Sequence, residues 1–236
     1  VLLMQKLLRC GFLVLALAML LGAWTVGAAA LEQSAVGIGI VTTENGLTIG
    51  LYAAVYYKLD VEDMTAKIAA LREQGVDLVI VAPHWGVEGT YRPTEEQERV
   101  GHAAIDAGAD IVFGSHPHVL QPIEEYGDGL ILYSMGNWTF GGSTMPSDPD
   151  TAIVQVELTR SDDGSISRTG MDVIPCCVSS KIDAAMANEQ NYNDYKPTPY
   201  EEGSEGYNRV LSKLTGEFEA TSQGADYSGW LASRAG

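Results

Sequence analysis

The sequence predicts an α/β protein with at least partly parallel strand pairing, and three observations carry that reading. Short apolar runs alternate with segments whose apolar residues recur at helical spacing, in the order strand, helix, strand, helix, strand. Farther along, Asp128-Gly129 and Asp163-Gly164 each separate two apolar runs, which marks hairpins. The 236 residues, 46% hydrophobic and 19% charged, suffice for one sizeable core with a small appendage.

Each element follows from local chemistry. "VGIGIVTTENGLTIGLYAAVYY" is apolar on both sides of Asn45-Gly46, a dipeptide suited to the positive φ angles of a tight turn. Strands near 37–42 and 47–55 are therefore expected. Asp60 caps a helix whose Val61, Met64, Ile68 and Leu71 share one face, with Gly75 as its stop. "VDLVIVA", residues 76–82, is apolar except at Asp77, the pattern of a strand buried on both faces. Thr94 and Gln97 form a capping box ahead of Val100, Ala103, Ala104 and Ala107, and Gly108 ends that helix. The strand "DIVF" follows at 110–113. Beyond Ser180 the composition turns polar, so 181–236 reads as a linker, a short helix near 206–221 and a tail.

The first 31 residues stand apart. Lys6 and Arg9 precede an uncharged run from Gly11 to Leu31 that closes on Ala28, Ala29 and Ala30. A basic start, an apolar middle and small residues at the end describe a signal peptide, and the run is also long enough for an uncleaved membrane anchor. Either way the remainder is expected to be exported, to the cell surface or beyond. Val1 is not an ordinary start, and Met4 offers an alternative. All 31 acidic residues lie beyond residue 30, so the exported part is more acidic than the whole chain's −17. Such charge argues against nucleic acid and anionic lipid surfaces as partners. Cys176 and Cys177 are adjacent, which favours two free thiols on opposite faces of a strand over a strained disulfide ring.

Histidine placement points to chemistry. Of four histidines, His84 ends one apolar strand, and His116 and His118 follow another in "FGSHPHV". Ligands in parallel sheets collect at the carboxyl ends of strands, where all three fall. Neutral imidazole suits zinc, manganese or iron. Pro117 fixes its own φ and stops the strand, which could aim the two flanking rings at neighbouring metal positions. Gly114 is expected to let the backbone approach whatever is bound. His102 projects away from the apolar face of its helix and reads as a solvated surface residue outside the site.

Three stretches, "DLVIVAPHWGVE", "AGADIVFGSHPHVLQPIE" and "ILYSMGNWTF", resemble the CapA-type proteins of poly-γ-glutamate capsule synthesis, from about Val36 to Gly142. That resemblance implies a metallophosphoesterase-like α+β sandwich of mixed sheets flanked by helices, with 36–180 an incomplete copy of the domain. It implies His84 and His116 on one metal and His118 on another, with His84 and Glu88 catalytic. Asn137 would mark the loop after the next strand. Ser115 is a further residue expected near the site, as is Arg92, a local positive charge that could draw in an anionic polymer. The family's Gly-Asp strand end, Asn-x-Glu element and Asn-Asn-His segment are missing from this sequence. Two cations about 3.5–4 Å apart need a bridging anion, so a lone, weakly held divalent ion (Mn, Zn or Fe) is the expectation.

Three functions remain after this reading. The first is an exported CapA-like protein acting on anionic poly-γ-glutamate or with other capsule machinery. The second is an extracytoplasmic metal-dependent phosphoesterase-like hydrolase. The third is a non-catalytic remnant of that fold.

Overall fold

The computed structural model describes residues 12–14, 36–139 and 141–219. The segment read as signal peptide or anchor lies outside them, apart from Phe12–Val14. In chain order the elements are β1 (Phe12–Val14), β2 (Val36–Thr42), β3 (Thr48–Val55), α1 (Val61–Glu73), β4 (Leu78–His84), α2 (Glu95–Asp106), β5 (Ile111–Phe113), β6 (Ile123–Tyr126) and β7 (Gly129–Leu132). Then come β8 (Asp150–Arg160), β9 (Ile166–Cys177), α3 (Ile182–Met186), β10 (Thr198–Pro199) and α4 (Glu205–Thr215). No helix among the described residues is long and apolar enough to cross a membrane.

The strands form two sheets, as the mixed α/β reading expected. A six-stranded sheet runs β2-β3-β4-β5-β7-β6, and a four-stranded antiparallel sheet runs β1-β8-β9-β10. In the larger sheet β3, β4, β5 and β7 are parallel, while β2 and β6 are antiparallel at the edges. The parallel strands alternate their faces between two cores. Leu78, Ile80, Ile111, Leu130 and Leu132 meet Ala152, Val154 and Val156 of the smaller sheet. Val79, Val81, Val112 and Ile131 meet Met64, Ile68 and Leu71 of α1 and Val100 and Ala104 of α2. A fully buried aliphatic side chain contributes about 1.5–3 kcal/mol and a surface ion pair about 0–1 kcal/mol. The two apolar layers therefore dominate the sandwich.

The predicted caps form. Asp60 accepts from the Asp63 amide, and Thr94 and Gln97 complete the capping box. Asp77, the one polar residue in its apolar run, ties three segments together. It accepts from the Thr48 amide and hydroxyl and from Arg160, each at 2.8 Å. Cys176 and Cys177 are buried free thiols, and burial pushes Cys176 up to about 12.

The polar stretch after Ser180 differs from its expectation as a linker. Tyr192 and Tyr200 are buried in the core between the sheets, along with Val210 and Leu214 of α4. The Ser179 hydroxyl donates to the Tyr192 carbonyl, and Tyr192 donates to the Pro146 carbonyl. Aromatic bulk and hydrogen bonds supply here what aliphatic periodicity supplies elsewhere. The predicted helix is real but ends earlier, at Thr215, where Gly216 takes a left-handed φ of 79°. The predicted tail beyond residue 219 lies outside the described residues.

Candidate metal centre

The parallel strands bring the predicted residues to one edge. His84 is the last residue of β4, and its strand extends by a parallel bridge to Ser115. Ser115 donates its amide to the Pro83 carbonyl, and Trp85 donates to the Ser115 carbonyl, each at 3.0 Å. This clamp holds the β4 and β5 ends side by side. The His84 and His116 ring centres are then 4.6 Å apart, and those of His116 and His118 6.1 Å apart.

β5 ends at Phe113, before Gly114, so Pro117 does not terminate it; the two histidines that flank the proline adopt positive φ, 103° for His116 and 58° for His118. Left-handed backbone at a non-glycine residue costs about 1–3 kcal/mol. The two rings stand 6.1 Å apart and tilted 58° to each other. One donor atom from each of Glu88, His116 and His118 lies within 4.8 Å of the others. His84 stands beside this group, not within it.

Glu88 reaches the group from the loop after β4. Gly86 and Gly89 flank it at φ 84° and 73°, and Gly89 donates to the Pro117 carbonyl at 2.8 Å. The loop is also held from below. Gln97 Nε2 donates to Gln121 Oε1, and Gln121 Nε2 donates to the Thr90 and Arg92 carbonyls at 2.9 and 3.0 Å. Arg92 is half-buried in the same loop.

The supporting hydrogen bonds select a tautomer. Asn137 Nδ2 donates to the His118 carbonyl at 3.1 Å, which leaves Asn137 Oδ1 facing His118 Nδ1 at 2.8 Å. Nδ1 must then carry the proton and Nε2 the free lone pair, as a metal-ligating histidine requires. His84 Nδ1 lies 3.2 Å from the Ser115 hydroxyl. Partial desolvation, and then the His116 and His118 rings, lower the His84 pKa, so the imidazole is neutral at neutral pH. Two imidazoles and one carboxylate form a donor set that fits one borderline divalent ion, with a third imidazole adjacent.

Two expectations change. Gly114 faces protein instead of a ligand: an added Cβ would lie 2.1 Å from the Tyr133 carbonyl oxygen and 2.5 Å from Trp85 Nε1. Its smallness permits the Trp85–Tyr133 hydrogen bond of 2.9 Å beneath the site. His102 is part-buried and engaged rather than freely solvated. Its side chain is 28% exposed, Nε2 lies 3.2 Å from both Glu124 oxygens, and the ring stacks on Tyr126 at 3.9 Å. The reason is that His102 faces β6, the edge strand of the sheet on which α2 packs. His102 nonetheless lies outside the donor group.

Gln121 and Tyr56 were not singled out from sequence. Gln121 sits inside a quoted motif, whereas Tyr56, stacked on His116 at 6.3 Å, carries no sequence signal.

Fold and site together define a mixed α/β sandwich, flanked by helices, with a histidine–carboxylate cluster at the carboxyl ends of its parallel strands. Residues 21–142 match the family described as Bacterial capsule synthesis protein PGA_cap, and the chain belongs to that family. It is 43% identical over 98 residues to the PGA biosynthesis protein CapA of Bacillus subtilis (strain 168), covering 41% of this chain and 25% of that protein. It is 37% identical over 158 residues to the capsule biosynthesis protein CapA of Bacillus anthracis, covering 66% of this chain and 32% of that protein. The chain thus spans about a quarter to a third of these relatives' length. Among solved structures, Thermus thermophilus sulfate thiohydrolase SoxB in complex with glycerol aligns at 18% identity and a TM-score of 0.36. That alignment covers 59% of this chain and 24% of that one.

Proposed function

We propose that this chain serves poly-γ-glutamate capsule synthesis or export at the cell surface, through a divalent cation held by Glu88, His116 and His118. The observation that carries the reading is the convergence of those three donors within 4.8 Å, two of them on strained backbone. The family and the names of its relatives supply the capsule context.

Charge explains why a cation belongs there. A chain of net charge −17 repels a polycarboxylate. A bound divalent cation supplies a Lewis-acidic centre that a carboxylate can approach. Glu88 offsets one unit of its charge, and the imidazoles add none, so the site stays net positive when filled. Asn137 and Ser115 hold the His118 and His84 rings in place. The neutral His84 ring stands beside His116 at the edge of the cluster. Hydrolysis of a phosphoester by paired ions needs a further bridging carboxylate, which the described cluster lacks. Polymer handling therefore ranks ahead of it.

The test uses encapsulated cells in which the native chain is replaced by Glu88→Gln or His116→Ala. Surface polymer, measured as glutamate released by acid hydrolysis, should fall to a small fraction of the wild-type level. Undiminished polymer in both strains would refute the proposal.

A further inference from the structure

One buried ammonium joins the last helix to the loop that carries Glu88. Lys213 Nζ donates to Asp148 Oδ2 and Asp150 Oδ2, each at 2.7 Å, and 2% of its side chain is exposed. Asp150 also accepts two bonds from Arg209 and one from the Tyr200 hydroxyl. The same Nζ stands 5.0 Å from the ring centres of Tyr91 and Phe218, which pack 4.9 Å from each other. Phe218 lies just beyond α4, with its amide donating to the Ser212 carbonyl. Tyr91 lies three residues past Glu88, in the loop whose Gly89 amide reaches Pro117.

The other arm of the cluster reaches His118. A Cβ on Gly136 would meet the Asp150 carbonyl oxygen at 2.9 Å, so the Gly136 turn rests directly on Asp150. Gly136 bridges to Thr151, whose hydroxyl donates to the Met135 carbonyl at 3.1 Å. The next residue, Asn137, fixes the His118 tautomer. Well-packed apolar residues often replace a buried ionic cluster without loss of stability, so stability alone gives no reason for charge here.

We propose that Lys213 is a positioning residue for the cation centre. Through Tyr91 it holds the Glu88 loop, and through Asp150 it backs the turn that orients His118. The C-terminal helix, which lies beyond the residues that match the family, is thereby part of the site's support. The inference rests on the cation reading of Glu88, His116 and His118.

The experiment compares Lys213→Met with Val156→Ala, a core change between the sheets, in the full 236-residue chain. Zn²⁺ binding is followed by calorimetry, and Gly89 amide exchange is followed in the metal-free protein. Lys213→Met should weaken Zn²⁺ binding by about tenfold and accelerate Gly89 exchange by about tenfold. Val156→Ala should lower the Tm while shifting either readout by less than about twofold. Equal shifts in the two variants would overturn the proposal. If the wild-type chain takes up no Zn²⁺, the cation reading fails, and Gly89 exchange alone decides whether Lys213 holds the loop. Should Lys213→Met not fold, Tyr91→Leu leaves the ammonium paired with both aspartates and is judged on the same two readouts.

Discussion

The six-stranded sheet receives its helices through aliphatic faces, whereas the smaller sheet receives its terminal helix largely through buried charge. On the first side α1 and α2 present Met64, Ile68, Leu71, Val100 and Ala104 to Val79, Val81 and Val112. On the second, Lys213 and Arg209 of α4 reach Asp148 and Asp150, with Val210 and Leu214 beside them. Burial alone would push the Asp150 carboxyl up, but Arg209 and Lys213 outweigh it and hold it low. The contrast separates tolerance from commitment. An apolar face absorbs a volume change at a graded cost, but a buried ion cannot lose one partner without leaving the others exposed to a low dielectric.

The largest effect should therefore come from Asp150→Ala, which takes from Arg209 its two buried hydrogen bonds, leaves Lys213 only Asp148, and strands the Tyr200 hydroxyl. Urea denaturation should show a loss of about 3–5 kcal/mol, and a loss below about 1 kcal/mol would erase the contrast. On the other side, Gly114→Ala forces a methyl against the Tyr133 carbonyl and the Trp85 indole. Overpacking of that kind costs about 1–3 kcal/mol in the same assay. An unchanged midpoint would mean that the close approach at Gly114 is not a constraint.

Acid should separate the regions more gently. Asp77 and Asp150 are both held below the ordinary carboxylate range, Asp77 by hydrogen bonds from Arg160 and Thr48. Depressed carboxyls stabilise the fold above their unfolded pKa, about 3.9, and that contribution disappears as pH falls through the folded values. The Tm should be level from neutral pH down to about 5 and drop below about 4. Arg160→Ala should shallow that drop, because Asp77 then titrates nearer its unfolded value. An identical profile in both proteins would contradict the role given to Asp77.

The same division marks what the sequence reveals. Strand and helix order through β7 is legible because each element's apolar period and caps agree: Asp60, Thr94 and Gln97 announce helices before any packing is considered. His84, His116 and His118 are legible because apolar strands deliver them to one edge. Their convergence with Glu88 is not, since it depends on positive φ at two histidines that side-chain identity disfavours. Gln121 is not legible, because a glutamine beside a proline carries no periodic signal. The packing of residues 181–204 is not legible, because Tyr192 and Tyr200 are buried by tertiary partners 46 and 50 residues away, at Pro146 and Asp150. Composition near these residues records only their polarity.

The most direct measurement is the metal content of the purified chain, by elemental analysis after dialysis against Mn²⁺ or Zn²⁺. Roughly one ion per chain is expected for the wild type. His116→Ala should abolish retention, and His102→Ala should leave it intact. Wild-type protein that retains no ion, or equal retention in the two variants, would contradict the account.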